Sequence, residues 1–245
     1  IVPTKAVAIA LGLADRLDML AGFWSIDEKP TGSKDPFALR RASLAILRIL
    51  EANKLKVSTQ KLVREALAAQ PNLRENDLDD LCTDLVSFVR DRAKVMFRDR
   101  DIRHDVADAL LAKDDFVFAD VASNAPSLDR FLVHEGKGLV ALFKRARNIL
   151  RQAEDYQNIH GFEGMEPAEE RLKTSLNRAG QELEKSHDFT DKLTILSGLI
   201  APMNDFFDSV VVNHEQMAIR ARRLSLMVMV VELFDKVADF EALEG

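Results

Sequence analysis

A single cysteine, Cys82, stands in 245 residues. That excludes an intramolecular disulfide and any cysteine cluster for zinc, and it fits a reduced, cytosolic setting. Glycine (10) and proline (7) are scarce, and aromatics make up 7%. A sandwich or barrel would need more turn residues than that. No apolar run reaches the length of a membrane span; residues 225–233 are apolar but much too short. The net charge of −6 denies the chain a global positive field for nucleic acid, so any such contact must be local. There is no GxGxxG, HExxH or CxxC, and no Ser-His-Asp order. The chain opens on Ile1 rather than Met, without a signal-peptide layout. It is expected to be a fragment of something longer.

What the chain does have is 47% hydrophobic and 30% charged residues, enough to bury a core and stay soluble. Its Ala, Leu, Arg, Asp and Glu content favours helices. Periodicity predicts helices over 5–21, 58–69, 75–97 and from about 103. Asp35-Pro36 predicts a start for the helix that follows, with Asp as N-cap and Pro at the first helical position. Phe37, Leu44 and Leu47 are expected to anchor it. Pro126 predicts a break, a short helix then runs to 134, and Gly136 and Gly138 punctuate the chain. Helix 138–156 is amphipathic, 158–167 a loop, 166–185 an exposed helix and 189–200 a buried one that Pro202 breaks or kinks. Residues 205–213 read as a short strand or a buried turn, and 215–237 as the last helix. The expected fold class is all-α.

The chemistry-bearing candidates are mostly basic. "KPTGSKDPFALRR" (29–41) carries Lys29, Lys34, Arg40 and Arg41 against one acid, Asp35. It is not a phosphate-binding loop, because it has one glycine and the wrong order. A helix N-terminus with added cations can hold a backbone phosphate. The alternative is an ordinary capped helix whose arginines pair with acids elsewhere. Between Gly136 and Gln152 stand Lys137, Lys144, Arg145, Arg147 and Arg151 and no acid, an unmixed stripe suited to a phosphate backbone. Arg220, Arg222 and Arg223 form a second cluster. Arg103-His104-Asp105 echoes metal-dependent HD phosphohydrolases. The five histidines (His104, His134, His160, His187, His214) are scattered, however, and a helix cap is the simpler reading of Asp105. Asp15 and Asp18 share a helix face, with a salt-bridged face as the simpler reading. No catalytic constellation and no metal site emerges.

Longer phrases carry more. "ALGLADRLDMLAGFWSIDEKPTGSKDPFALRRASLAILRIL", "IRHDVADALL", "LVALFKRARNIL" and "FFDSVVVNHEQMAIRARRLSLMVMVVELFDKVADFEALEG" resemble the bacterial glycyl-tRNA synthetase beta subunit, from near Ile1 to Gly245. The resemblance implies the C-terminal part of that subunit. Residues 1–100 would be the end of an HD-like helical domain with a connecting helix, and 101–245 a DALR-type anticodon-binding domain. It implies tRNA(Gly) and the alpha subunit as partners and a cytoplasmic location. ATP and Mg2+ would serve the complete enzyme, with no cofactor in this portion and no catalysis by it alone. The basic residues above become hypotheses for tRNA contact. A non-catalytic scaffold meeting the alpha subunit or other beta domains is the alternative. Two departures stand out: "DALL" at 108–111 lacks the arginine of the DALR signature, and Gln216 sits where an acid is expected.

Overall fold

A computed structural model describes residues 2–32, 34–71, 73, 77–113, 115–153 and 164–244. Among these the fold is all-α, and one isolated bridge, Thr31 to Lys34, is the single β-type pairing. No helix among the described residues is long and apolar enough to cross a membrane. Two compact units divide the chain, Ile1–Pro126 and Ser127–Gly245. That division falls inside a helix, downstream of the boundary near Arg100 read from the sequence.

In the first unit α1 (Ala6–Ser25) packs on α2 (Leu39–Ala52), α3 (Thr59–Ala68) and α4 (Leu78–Arg98), and α4 also meets α5 (His104–Leu111). Each helix turns an apolar stripe inward: Leu20, Ala21 and Trp24 from α1, Leu47 and Leu50 from α2, Val63 and Leu67 from α3, Leu85, Val89 and Phe97 from α4. Trp24 buries its ring, and its indole N–H donates to the Asp84 carboxylate at 2.9 Å. A buried indole needs such a partner. Ser58 caps α3, its hydroxyl accepting the Lys61 N–H at 2.9 Å.

The start of α2 differs from expectation. Asp35-Pro36 does not begin the helix; Ala38 adopts a left-handed conformation (φ 58°) and α2 starts at Leu39. Asp35 still does a cap's work from a distance, since its carboxylate accepts the N–H groups of Leu39 (2.7 Å) and Arg40 (3.2 Å). These are free first-turn donors. Phe37 is partly exposed and stacks on Phe23, so Leu39 and Leu47 rather than Phe37 anchor the helix.

The second unit begins within α6 (Phe118–Phe131) and continues through α7 (Lys137–Arg151), α8 (Pro167–Lys185), α9 (Phe189–Ser197), α10 (Ile200–Ser209) and α11 (Met217–Asp235). Pro126 lies inside α6 and does not break it, although its missing N–H removes the donor that would reach Ala122. Gly136 does not stop the chain either. It closes a π-helical turn, Leu132–Gly136, that joins α6 to α7. A Cβ there would lie 2.8 Å from the Phe131 ring, so any larger residue would have to displace that ring. Pro202 is the third residue of α10, in the first turn, where no helical N–H is needed; the break falls earlier, at Gly198 and Leu199. Residues 205–213 form no strand: α10 ends at Ser209 and Val210 is extended. The end of the helix expected over 138–156 and most of the loop expected over 158–167 lie outside the described residues.

One buried ionic network ties this unit together. Glu169 of α8 is fully buried, and its carboxylate accepts from Arg222 Nη2 (2.9 Å) and Arg223 Nε (2.5 Å) of α11. It also accepts the Glu166 N–H at 2.8 Å, completing a capping box at the start of α8. Arg223 reaches further, to the Val211 carbonyl (2.7 Å) and the Glu166 carboxylate. Burial alone would push the Glu169 carboxyl up. The Arg223 and backbone hydrogen bonds, with the charges of both arginines, outweigh it and hold the group below its ordinary 4.5. A depressed carboxyl contributes stability above the unfolded-state value and loses it as pH falls through the folded one. Glu169→Ala should therefore cost about 3 kcal/mol at neutral pH, because it takes from two buried guanidinium groups the carboxylate they share. Urea unfolding should show the wild-type advantage shrinking as pH drops below 4.5.

Candidate nucleic-acid interface

Helix α7 buries Leu139, Val140, Leu142, Phe143 and Ala146. That leaves its basic side outward: Lys137, Arg145 and Arg151 are exposed, and Lys144 and Arg147 half-exposed. Among the described residues neither lysine has an ion-pair partner. Arg145 lies over the Phe207 ring at 4.3 Å, a cation–π contact that orients it without cancelling its charge.

The stripe is not free of acid in space. Phe143 stacks on Phe234 (5.4 Å between ring centres), and both meet Phe240 from the segment after α11 (5.8 and 4.8 Å). Phe240 is wholly buried. This anchor puts the next residue, Glu241, against α7, where its carboxylate pairs with Arg147 Nε at 3.4 Å and with Arg151. Phe143, Lys144, Arg147, Asn148, Arg151 and Glu241 line a groove of about 220 Å³. Nothing near 137–151 in the sequence signals Glu241 or Phe207, since both partners come from distant segments.

The 29–41 stretch splits in two. Lys29 pairs with Asp84 (2.9 Å) and Asp27 (3.2 Å), and the Asp84 hydrogen bond holds its ammonium above the ordinary value. Arg40 donates to the carbonyls of Gly32 (2.6 Å) and Lys34 (3.4 Å), tying down the loop. Both side chains serve the local fold. Lys34 and Arg41 are exposed and have no ion-pair partner among the described residues.

The Arg220–Arg223 cluster is corrected by burial. Arg222 is 7% exposed and Arg223 2%, both committed to Glu169. Their charges are neutralised inside the second unit and face no surface. Arg220 is half-exposed, without an ion-pair partner among the described residues. Gln216, in place of the expected acid, precedes α11 and supplies no side-chain cap; its own N–H donates instead to His214 Nδ1 at 3.0 Å.

The other candidates are structural. Asp105 is buried, and Arg103 grips its carboxylate through two donors (2.9 and 2.6 Å) while the Val106 N–H adds a third at 3.0 Å. Among the described residues no group of three or more His, Cys, Asp or Glu is placed to hold a metal; His160 lies outside them. Asp108 of the DALL stretch pairs with Lys94 at 2.6 Å. Asp15 pairs with Arg16 (3.6 Å) and Asp18 accepts from Gln70 (3.0 Å), so the two carboxylates have separate partners.

Comparison with known proteins points the same way as the resemblance. Residues 1–112 match the family described as glycyl-tRNA synthetase beta subunit. The whole chain aligns at 38% identity with the glycine–tRNA ligase beta subunits of Ruegeria sp. (strain TM1040), Rhodospirillum centenum and Cereibacter sphaeroides. The chain belongs to the glycyl-tRNA synthetase beta-subunit family. It spans only 35–37% of the length of those relatives, in their C-terminal part.

Within this family member, Asp35 is the residue on which the 29–41 geometry turns. Asp35→Ala should cost about 1 kcal/mol in urea unfolding, the usual loss for a capping group. An unchanged midpoint would show that the Ala38 bend holds α2 in place without it.

Proposed function

We propose that this chain is the tRNA-binding C-terminal portion of a glycyl-tRNA synthetase beta subunit. It supports the ATP-dependent attachment of glycine to tRNA(Gly) by holding the tRNA. The observation that carries this is the α7 face, where Lys137, Lys144 and Arg145 keep uncompensated charge on an otherwise acidic chain. Phosphate is the ligand for such a face, because each contact releases condensed counterions. The names of the relatives supply tRNA as the polyanion. On this reading the first unit descends from an HD-like domain and the second contains the DALR-type anticodon-binding domain. The α7 face meets the anticodon arm, and Lys34 with Arg41 meets RNA elsewhere. Glycine activation, with its ATP and Mg2+, belongs to the alpha subunit in a cytoplasmic complex of the two subunit types.

A second reading has its own observation. On α1, Val7 is 80% and Leu11 69% exposed, one helical turn apart. Apolar side chains do not bind phosphate. This stripe favours a protein contact for the first unit, with the alpha subunit or the remaining beta domains.

The deciding experiment measures binding of the chain to tRNA(Gly) transcript at two salt concentrations, beside Lys137→Glu/Lys144→Glu. These lysines are the cleaner targets, since reversing Arg147 or Arg151 would also break the Glu241 contact. Affinity should fall steeply with salt, and the double reversal should weaken it at least tenfold at low salt. Binding indifferent to the reversal would remove RNA from the α7 face.

A further inference from the structure

The cations of α7 are not equivalent. Lys137 and Lys144 lack carboxylate partners among the described residues, whereas Arg147 and Arg151 share the carboxylate of Glu241. That carboxylate lines the same groove as Lys144 and Asn148. It is held there by the burial of its neighbour Phe240 against Phe143 and Phe234, and by a turn in which the Glu241 N–H donates to Asp239 at 3.0 Å. A half-exposed acid bridging two arginines occupies the position an RNA phosphate would take. Both are oxyanions, and both suit the guanidinium fork.

We infer that the Lys144–Arg147–Arg151 groove is a phosphate seat for RNA and that Glu241 is its built-in competitor. This rests on the α7 face being an RNA surface. The carboxylate neutralises the arginines against casual polyanions, so an RNA gains them only if its other contacts offset displacing Glu241. Displacing Glu241 lowers affinity by about the same factor for every RNA that takes the seat. At a given RNA concentration this empties weak complexes while a tight one stays occupied. An acidic protein with a basic groove benefits from such a threshold, because phosphate contacts alone carry no sequence information.

The test compares the wild-type chain with Glu241→Gln, Glu241→Asp and Lys144→Glu. Each is titrated against tRNA(Gly) transcript and an unstructured uridine oligonucleotide over a range of salt. Glu241→Gln should bind the oligonucleotide about three- to tenfold more tightly at low salt. Its salt dependence should steepen by about one to two phosphate contacts, and tRNA(Gly) should tighten by a comparable factor. Glu241→Asp keeps the charge and should stay close to wild type. If Lys144→Glu weakens binding while Glu241→Gln leaves it unchanged or weakens it, the competitor role is overturned and the RNA face stands. Equal tightening by Glu241→Asp and Glu241→Gln would trace the effect to loosened packing and also overturn the inference. If Lys144→Glu and Glu241→Gln both leave binding unchanged, the RNA face and the competitor fall together.

Discussion

The carboxylate of Glu169 is the constraint on which the second unit depends. Two arginines from one helix cannot enter an apolar interior unless a counter-charge meets them there. Glu169 meets both, and one of the same oxygens caps its own helix. Through Arg223 the network reaches the Val211 carbonyl and so holds the segment between α10 and α11. The ion pairs join α8 to α11 at fixed positions, within a core that also buries Leu172, Leu226 and Leu233.

The same logic sorts the surface. Among the described residues, some cations are spent on a carboxylate or carbonyl that folding brings to them, and others are left for solvent and partners. Lys29, Arg40, Arg222 and Arg223 are spent. Lys34, Arg41, Lys137, Lys144 and Arg145 are not. Arg147 and Arg151 are in between, paired with an acid that is itself half-exposed. A net charge of −6 hides this division. Binding to a polyanion depends on where the unspent charges lie, not on the total.

Much of the helical pattern was legible. α1, α3, α4, α8 and α11 lie close to the expected segments; in α3, α4 and α8 a buried 3.6-residue stripe leaves its trace in the sequence, whereas α11 is buried on nearly all sides. The misplaced boundaries all involve residues whose effect depends on context. Pro126 sits inside a helix and Pro202 in a first turn, Gly136 makes room for an aromatic ring instead of ending a helix, and Asp35 caps α2 from outside a left-handed bend. A proline or glycine marks a local conformation, but which element contains that conformation is decided by the packing around it.

By itself the sequence determined the helical class, the amphipathic α7 with its basic side, the exclusion of an intramolecular disulfide and the family. These are properties of composition, spacing and long ordered similarity, and none requires knowing what touches what. Only the tertiary structure decided which charges remain available. Glu169 lies 53 residues from Arg222, and Glu241 lies 90 from Arg151. An ion pair acts over a few ångströms of space whatever the separation along the chain, so residue type and local spacing cannot tell a solvated cation from one that has already met its partner.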